Sequence, residues 1–526
     1  MNALPSIFND VIGPVMRGPS SSHCAAAARI GLLARALMAD RIDAVRVEFD
    51  ERGSLASTHE SQGSDMGLAG GLLGLAPSDE RLVHYRDALH AAGIRIEYRV
   101  GAYGDAHPNT YRITLKNPQE SHCLVALSTG GGMIQVTEID GHGVALHGDL
   151  YETLVYFDND EKGLVRALQA ILSAEDDIQV LKAPRKEKRF IRVASRMPPG
   201  KIQLEAAAFS TGAVAVRNLP PVLPILTPHK MAVPFATCEQ MLAYNHSRQL
   251  SLAELAVEYE SARGGVDRDE IMAKMAAIVK TMQASVRRGL AGTHYRDRIL
   301  GCQSKLYAAG QRSGQLLDLG ILNRIVLYVS ALMEAKSAMQ VIVASPTAGS
   351  CGALPGTLLG AADEMGHGGE AIARAMLAAG MIGVFISNTS TFAAEVAGCQ
   401  AECGSGSGMA AAGLVTLMGG SAEMAAAAAS MALQNILGMI CDPVANRVEV
   451  PCLGKNVMAA GNAVACANMA LAGYDPVIPL DEVIRTMDAV GKSIPAELRC
   501  TAAGGLSITE TSRKIEEKLA RGIAES

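Results

Sequence analysis

Hydrophobic and polar positions change rhythm along this chain, and each change marks a different kind of element. Over the first 150 residues, helical and strand-like patterns interleave. Ile30, Leu33 and Leu37 recur at helical spacing within 25–38, directly after the polar Ser20, Ser21 and Ser22. Val45, Val47 and Phe49 alternate with polar neighbours over 44–49, and 94–100 and 111–115 alternate in the same way, so all three read as strands. A strand is expected at 152–157. Asp158, Asn159 and Asp160 then supply a cap for a helix with Leu164, Leu168, Ile171 and Leu172 on one face. Two more strands follow at 178–181 and 190–193, joined by the basic turn 183–188. Pro220, Pro221, Pro224, Pro228 and Pro234 fix φ and remove donors, which predicts an extended linker. Beyond it the period is helical: 238–244, 252–262, 267–287, 321–341, 369–383, 424–437 and 457–472, with no repeat of fixed length. The expected organisation is an α/β domain over 1–150, a small α+β unit over 151–217, a linker over 218–235, and a large all-α domain over 236–526.

Length and composition sharpen this picture. At 526 residues the chain is too long for one core, so two to four domains are expected. Net charge is −6 with no long basic run, which argues against nucleic acid as a partner. Trp is absent and aromatics make up only 4%, while Ala, Gly and Met abound; closely approaching helices with thioethers filling gaps are the natural packing. Eleven cysteines, an odd and irregular set with no secretory leader before them, suit a reducing cytoplasm. The stretch 372–440 is strongly apolar, but Arg374, Glu395, Glu402 and Glu423 interrupt it, so buried helices are expected rather than a membrane span.

The candidate chemistry lies in short words between elements. Cys399, Cys441 and Cys452 each stand beside a helix breaker: Gly398, the pair Asp442 and Pro443, and Pro451. Thiolates at such breaks can converge on a soft metal, although free cysteines also serve as small buried hydrophobes. Ser20–Ser22 and His23 precede a helix N-terminus, where an anion is favoured and where Ser also caps routinely. In HPNT, His107 offers acid–base chemistry and Asn109 a donor; the same word also suits a plain turn. In SPTAGSCG, Thr347 and Ser350 supply donors, and Gly349 and Gly352 allow close backbone approach beside Cys351.

Taken together, GCQAE, CDPV, VPC, SPTAGSCG and GGL (504–506), with GPSSSH (18–23), GSLA (53–56), HPNT and GGG (130–132), resemble the bacterial iron–sulfur-dependent L-serine dehydratases with β and α domains fused. The resemblance runs in one order over most of the chain. It implies a [4Fe-4S] cluster on Cys399, Cys441 and Cys452 with one iron left for substrate, and elimination of water from a small β-hydroxy amino acid, L-serine above all. Substrate contacts are expected from Ser20, Ser21, Ser22, His23, Gln62, Ser64, Asn109, Thr347 and Ser350, and, because the family's base is missing here, proton transfer is expected to pass to His59 or His107. The site would lie where the loops of the first domain face the cysteines, within one chain or across a homodimer. Two departures stand out. The family's TGKGH-type histidine is replaced by Gln62, whose amide does not titrate, and the tail GIAES lacks the cysteine with which some members cap the fourth iron. Cys403 and Cys500 read as packing residues. The strand–helix–strand–strand order at 151–200 looks like an amino-acid-binding ACT module, or else an elaborated edge of the first domain. Alternatives are a lyase with another β leaving group, like the related cysteine desulfidases, a non-catalytic amino-acid sensor, and a structural zinc site recruiting Cys403.

Overall fold

The computed structural model describes residues 4–158, 161–173, 176–181, 188–198, 200–228 and 232–524. Three sheets and a large helical body make up the described residues: α/β architecture over about the first 220 residues, then helices.

The larger sheet has six strands in the order Arg95–Gly101, Ala44–Asp50, Thr110–Lys116, Ser121–Gly130, Met133–Ile139, His142–Leu146. Its first pair is parallel and the rest antiparallel. Val45, Val47 and Phe49 point into the core, as their alternation requires. The helix Ala26–Ala36 buries Ile30 and Leu33 against this sheet, and the helix Ser64–Leu72 packs alongside that helix in the same core. These two helices meet through glycines: a Cβ on Gly71 would lie 2.1 Å from the Ala28 carbonyl oxygen, and one on Gly31 would lie 2.6 Å from that of Leu68. Because backbone atoms on both sides leave nothing flexible to yield, Gly71→Ala should destabilise the protein by about 1–3 kcal/mol. A thermal melt checks this, and an unchanged midpoint would show that the helices separate freely.

The second sheet is antiparallel, in the order Ala213–Leu219, Tyr151–Phe157, Arg189–Ser195, Asp177–Leu181. With the helices Glu161–Gln169 and Lys201–Ser210 it forms a ferredoxin-like βαββαβ unit around Leu164, Leu168, Ile191 and Val193. The expected strand–helix–strand–strand is thus its first two-thirds. The capping residues Asn159 and Asp160 and most of the basic turn 183–188 lie outside the described residues.

The helical body contains all seven expected helices, with shifted ends; the one expected at 321–341 closes earlier, at Ile321–Ser337. It adds Gln303–Arg312, Ala353–Met365, Ser405–Leu417, Leu480–Ser493 and Glu510–Ala524. Gly369–Thr389 has the length and composition of a membrane-crossing helix, yet 78% of its most apolar stretch is buried inside the protein, in line with the buried helices expected over 372–440. Its inner face receives the start of the chain: a Cβ on Gly380 would lie 2.6 Å from the Ile7 side chain, and one on Gly383 would lie 2.1 Å from Val11. Ser6 donates to Glu260, Asn9 bonds the backbone of Ile225, and Val15–Met16 pairs with Ile342–Val343. Residues 5–16 therefore belong to the helical core rather than to the sheet that follows them.

Candidate active site

Breaks between helices bring the cysteines together. Gly398 ends a short turn at φ +72°, where a Cβ would strike the Met439 carbonyl, and Cys399 follows it. Cys441 is held by a two-way backbone exchange: its N–H donates to Leu498 and its carbonyl accepts from Cys500. Cys452 opens the helix Cys452–Leu471 after Pro451. Cys399, Cys403, Cys441 and Cys500 share one buried apolar cluster with Ala394. Cys452 is linked to this cluster through Asn456, which donates to its carbonyl (2.8 Å) and to the Cys403 sulfur (3.4 Å).

The electrostatics favour thiolate at one position. A hydrogen bond from Cys403 holds the Cys399 thiol down at about 7, and Lys455 adds to this pull. Burial pushes Cys452 up to about 12, against the attraction of Lys336 and Lys455. The contact with Cys500, together with burial, raises the Cys441 thiol. Lys455 is itself anchored by Asp442 (2.9 Å) and the Ile440 carbonyl (2.8 Å). Asp442 in turn accepts from the Leu506 N–H, and Gly505 beside it, at φ +60°, leaves no room for a Cβ. The GGL word thus braces the loop that carries Cys441.

Loops from the α/β half close over this sulfur-lined region. In GPSSSH, His23 is fully buried: Nδ1 pairs with the Ser20 hydroxyl (2.9 Å) and Nε2 with that of Thr58 (2.8 Å). Burial holds its pKa down at about 3, so it is neutral. Ser21 accepts from the Ala348 N–H of SPTAGSCG, and Ser22 from the Ser128 hydroxyl through its carbonyl. Ser54 donates to the Cys500 carbonyl (3.1 Å) and Gln62 to the Cys500 sulfur (3.4 Å). Asn109 is fully buried, with its N–H bonded to His107 Nδ1. Thr347 donates to Glu402 (2.7 Å) and pairs with Ser350 (3.1 Å). Of the residues singled out in the sequence, Ser64 faces away into a pair with Tyr111, 2.8 Å apart.

The two histidines weighed for proton transfer are set up differently. His59 Nδ1 lies 2.7 Å from an Asp65 oxygen, and its ring packs against both Phe49 and Tyr98. A carboxylate accepts, so Nδ1 carries the proton and Nε2 keeps its lone pair. His107 Nδ1 accepts from Asn109, so its proton is on Nε2 in the neutral form.

Sequence reasoning missed Glu395 and Glu402, which had served only as interruptions of an apolar run. Both are buried. Burial pushes Glu402 up to about 8, with Cys399 and Glu395 adding to the shift and Thr347 opposing it. Glu395 reaches His23 at 3.6 Å, and its pKa is raised by burial. Their signal was available: two acids flanking a cysteine at a helix break in an otherwise Ala-rich stretch.

The donor set here is sulfur. Among the described residues no three His, Cys, Asp or Glu groups are placed to hold a single metal ion. A multi-iron cluster spreads its thiolates more widely, and five cysteines around one pocket, with two lysines to offset their charge, fit such a group.

The site is assembled from loops of one domain and helix breaks of another, and the comparisons with known proteins place it in an enzyme of the lyase class and name its family. The serine dehydratase alpha chain family matches residues 247–507. The probable L-serine dehydratase alpha chain of Bacillus subtilis is 36% identical over 288 residues, covering 55% of this chain and 96% of that protein. The probable L-serine dehydratase beta chain of the same organism is 39% identical over 168 residues, 32% of this chain and 74% of its own length. L-serine dehydratase 1 of Escherichia coli is 34% identical over 289 residues, 52% of this chain and 62% of that protein. The chain belongs to the iron–sulfur L-serine dehydratase family.

Proposed function

We propose that the protein is a [4Fe-4S]-dependent L-serine dehydratase, producing pyruvate and ammonia. The observation that supports this reading is the buried cluster of Cys399, Cys403, Cys441 and Cys500, which the GSLASTHESQ loop touches through Cys500 and beside which His23 of GPSSSH reaches Glu395. Cys399, Cys441 and Cys452 would hold the iron–sulfur group, with Lys336 and Lys455 balancing thiolate charge. When bound, the cluster supplies a Lewis acid that makes the substrate hydroxyl a better leaving group.

The chain's own residues supply the rest. Ser20–Ser22 sit at the start of a helix, where free N–H groups and hydroxyls suit the substrate carboxylate. His23 stays neutral and braces this loop against Thr58. His59, kept by Asp65 in the tautomer with a free Nε2 lone pair, takes the α-proton, and His107 offers a proton from Nε2. Loss of the α-proton and the β-hydroxyl gives an enamine, which tautomerises to an imine and hydrolyses to pyruvate and ammonia. The close fit of the two halves keeps bulk water from the reacting carbon.

Anaerobically purified protein should release pyruvate and ammonia in equal amounts from L-serine. Faster turnover of L-cysteine with sulfide release would replace serine by another β-substituted amino acid.

A further inference from the structure

Glu395 is in an unusual position for a buried carboxylate. It stands on the short turn Ala394–Ala397, beside the cysteines through Ala394 and beside the α/β loops through His23. Its side chain is only 4% exposed, and its one ion-pair partner among the described residues is His23, which burial keeps neutral. Glu395 Oε2 has no hydrogen-bond partner. The Asn109 amide lies close enough to favour the ionised form of Glu395, yet neither of its polar atoms, also buried, makes a hydrogen bond of good geometry. Three orphaned polar atoms on two neighbouring side chains are costly, because buried polar groups in folded proteins are nearly always paired. Such a cost persists where a ligand relieves it.

The ligand must bring donors and positive charge. On the reading proposed above, the substrate is a zwitterion. Its carboxylate has the GPSSSH loop and its hydroxyl has the sulfur-bound group, which leaves an ammonium that needs an anion. Glu402 is already engaged by Thr347, with Gly349 pressed against its carboxylate. We infer that Glu395 is the acceptor of the substrate α-ammonium, with Asn109 Oδ1 taking a further N–H and its Nδ2 donating to the substrate. The pair Glu395 and Asn109 thus restricts the site to α-amino acids.

The test compares two ligands that differ by this group. KM for L-serine and the inhibition constant of 3-hydroxypropionate, which keeps the carboxylate and hydroxyl but lacks the amine, are measured on the iron-loaded protein and on Glu395→Gln and Glu395→Asp. Removing the charge from a buried, hydrogen-bonded ion pair should raise KM for L-serine about 30-fold or more. The inhibition constant for 3-hydroxypropionate should stay within about threefold, and Glu395→Asp should recover part of the loss. Iron content and melting temperature are recorded for each variant. Equal weakening of both ligands, or no change in KM, would overturn the assignment. If Glu395→Gln does not fold, the same comparison on Glu395→Asp decides, since a shortened carboxylate still weakens L-serine selectively. A wild-type protein that does not turn over L-serine at all would instead remove the reading on which the inference rests.

Discussion

Changing Cys399, Cys441 or Cys452 to Ser is expected to remove most of the iron and acid-labile sulfide from the protein, and nearly all activity with it. A hydroxyl is a hard ligand and a poor substitute for thiolate toward iron–sulfur clusters. The three positions lie on separate elements, so each loss opens a different side of the pocket: the turn after Gly398, the backbone exchange with Leu498 and Cys500, and the first turn of the helix Cys452–Leu471. The control is Cys123→Ser, because Cys123 is exposed on a sheet strand remote from these thiols and should leave iron and activity unchanged. Iron and sulfide assays with a visible spectrum decide the matter. Three variants with full iron content would reject the ligand set.

His59→Ala is expected to lower kcat by about 10²–10⁴-fold with iron content unchanged, the usual contribution of a positioned base. The argument rests on the proton's place. Asp65 fixes the His59 Nδ1–H and frees Nε2, whereas the Asn109 N–H occupies Nδ1 of His107 and leaves a donor at Nε2. Asp65→Asn should therefore also lower kcat, because an amide can donate to Nδ1 and favour the wrong tautomer. His107→Ala should act more weakly on kcat. A His59→Ala variant with near-normal kcat would exclude it and pass the role to another group.

The periodicities gave the α/β half and the helical half correctly, and the short words gave the candidate site. The cysteines with their helix breakers, and the loops GPSSSH and HPNT, were readable because their chemistry is local. Glu395 was not, since its meaning depends on contact with His23, which lies far away in the chain. The strands Ser121–Gly130 and Met133–Ile139 escaped notice because polar residues such as Ser128 and Thr137 dilute their apolar alternation. The helices Ala353–Met365 and Ser405–Leu417 have the opposite problem. They are buried on nearly every side, so a Gly- and Ala-rich composition replaces the one-sided stripe that identifies a surface helix. The placement of residues 5–16 in the helical core is a long-range choice that no window of sequence contains.

That crossing of the chain's beginning into the far domain has a consequence of its own. Some relatives are named as separate alpha and beta chains. Here the segment Val15–Met16 is already seated on Ile342–Val343, and covalent linkage turns the meeting of loops and thiols into an intramolecular event with a fixed effective concentration. Dilution cannot separate the two faces of the site, so its assembly is independent of how much protein is present.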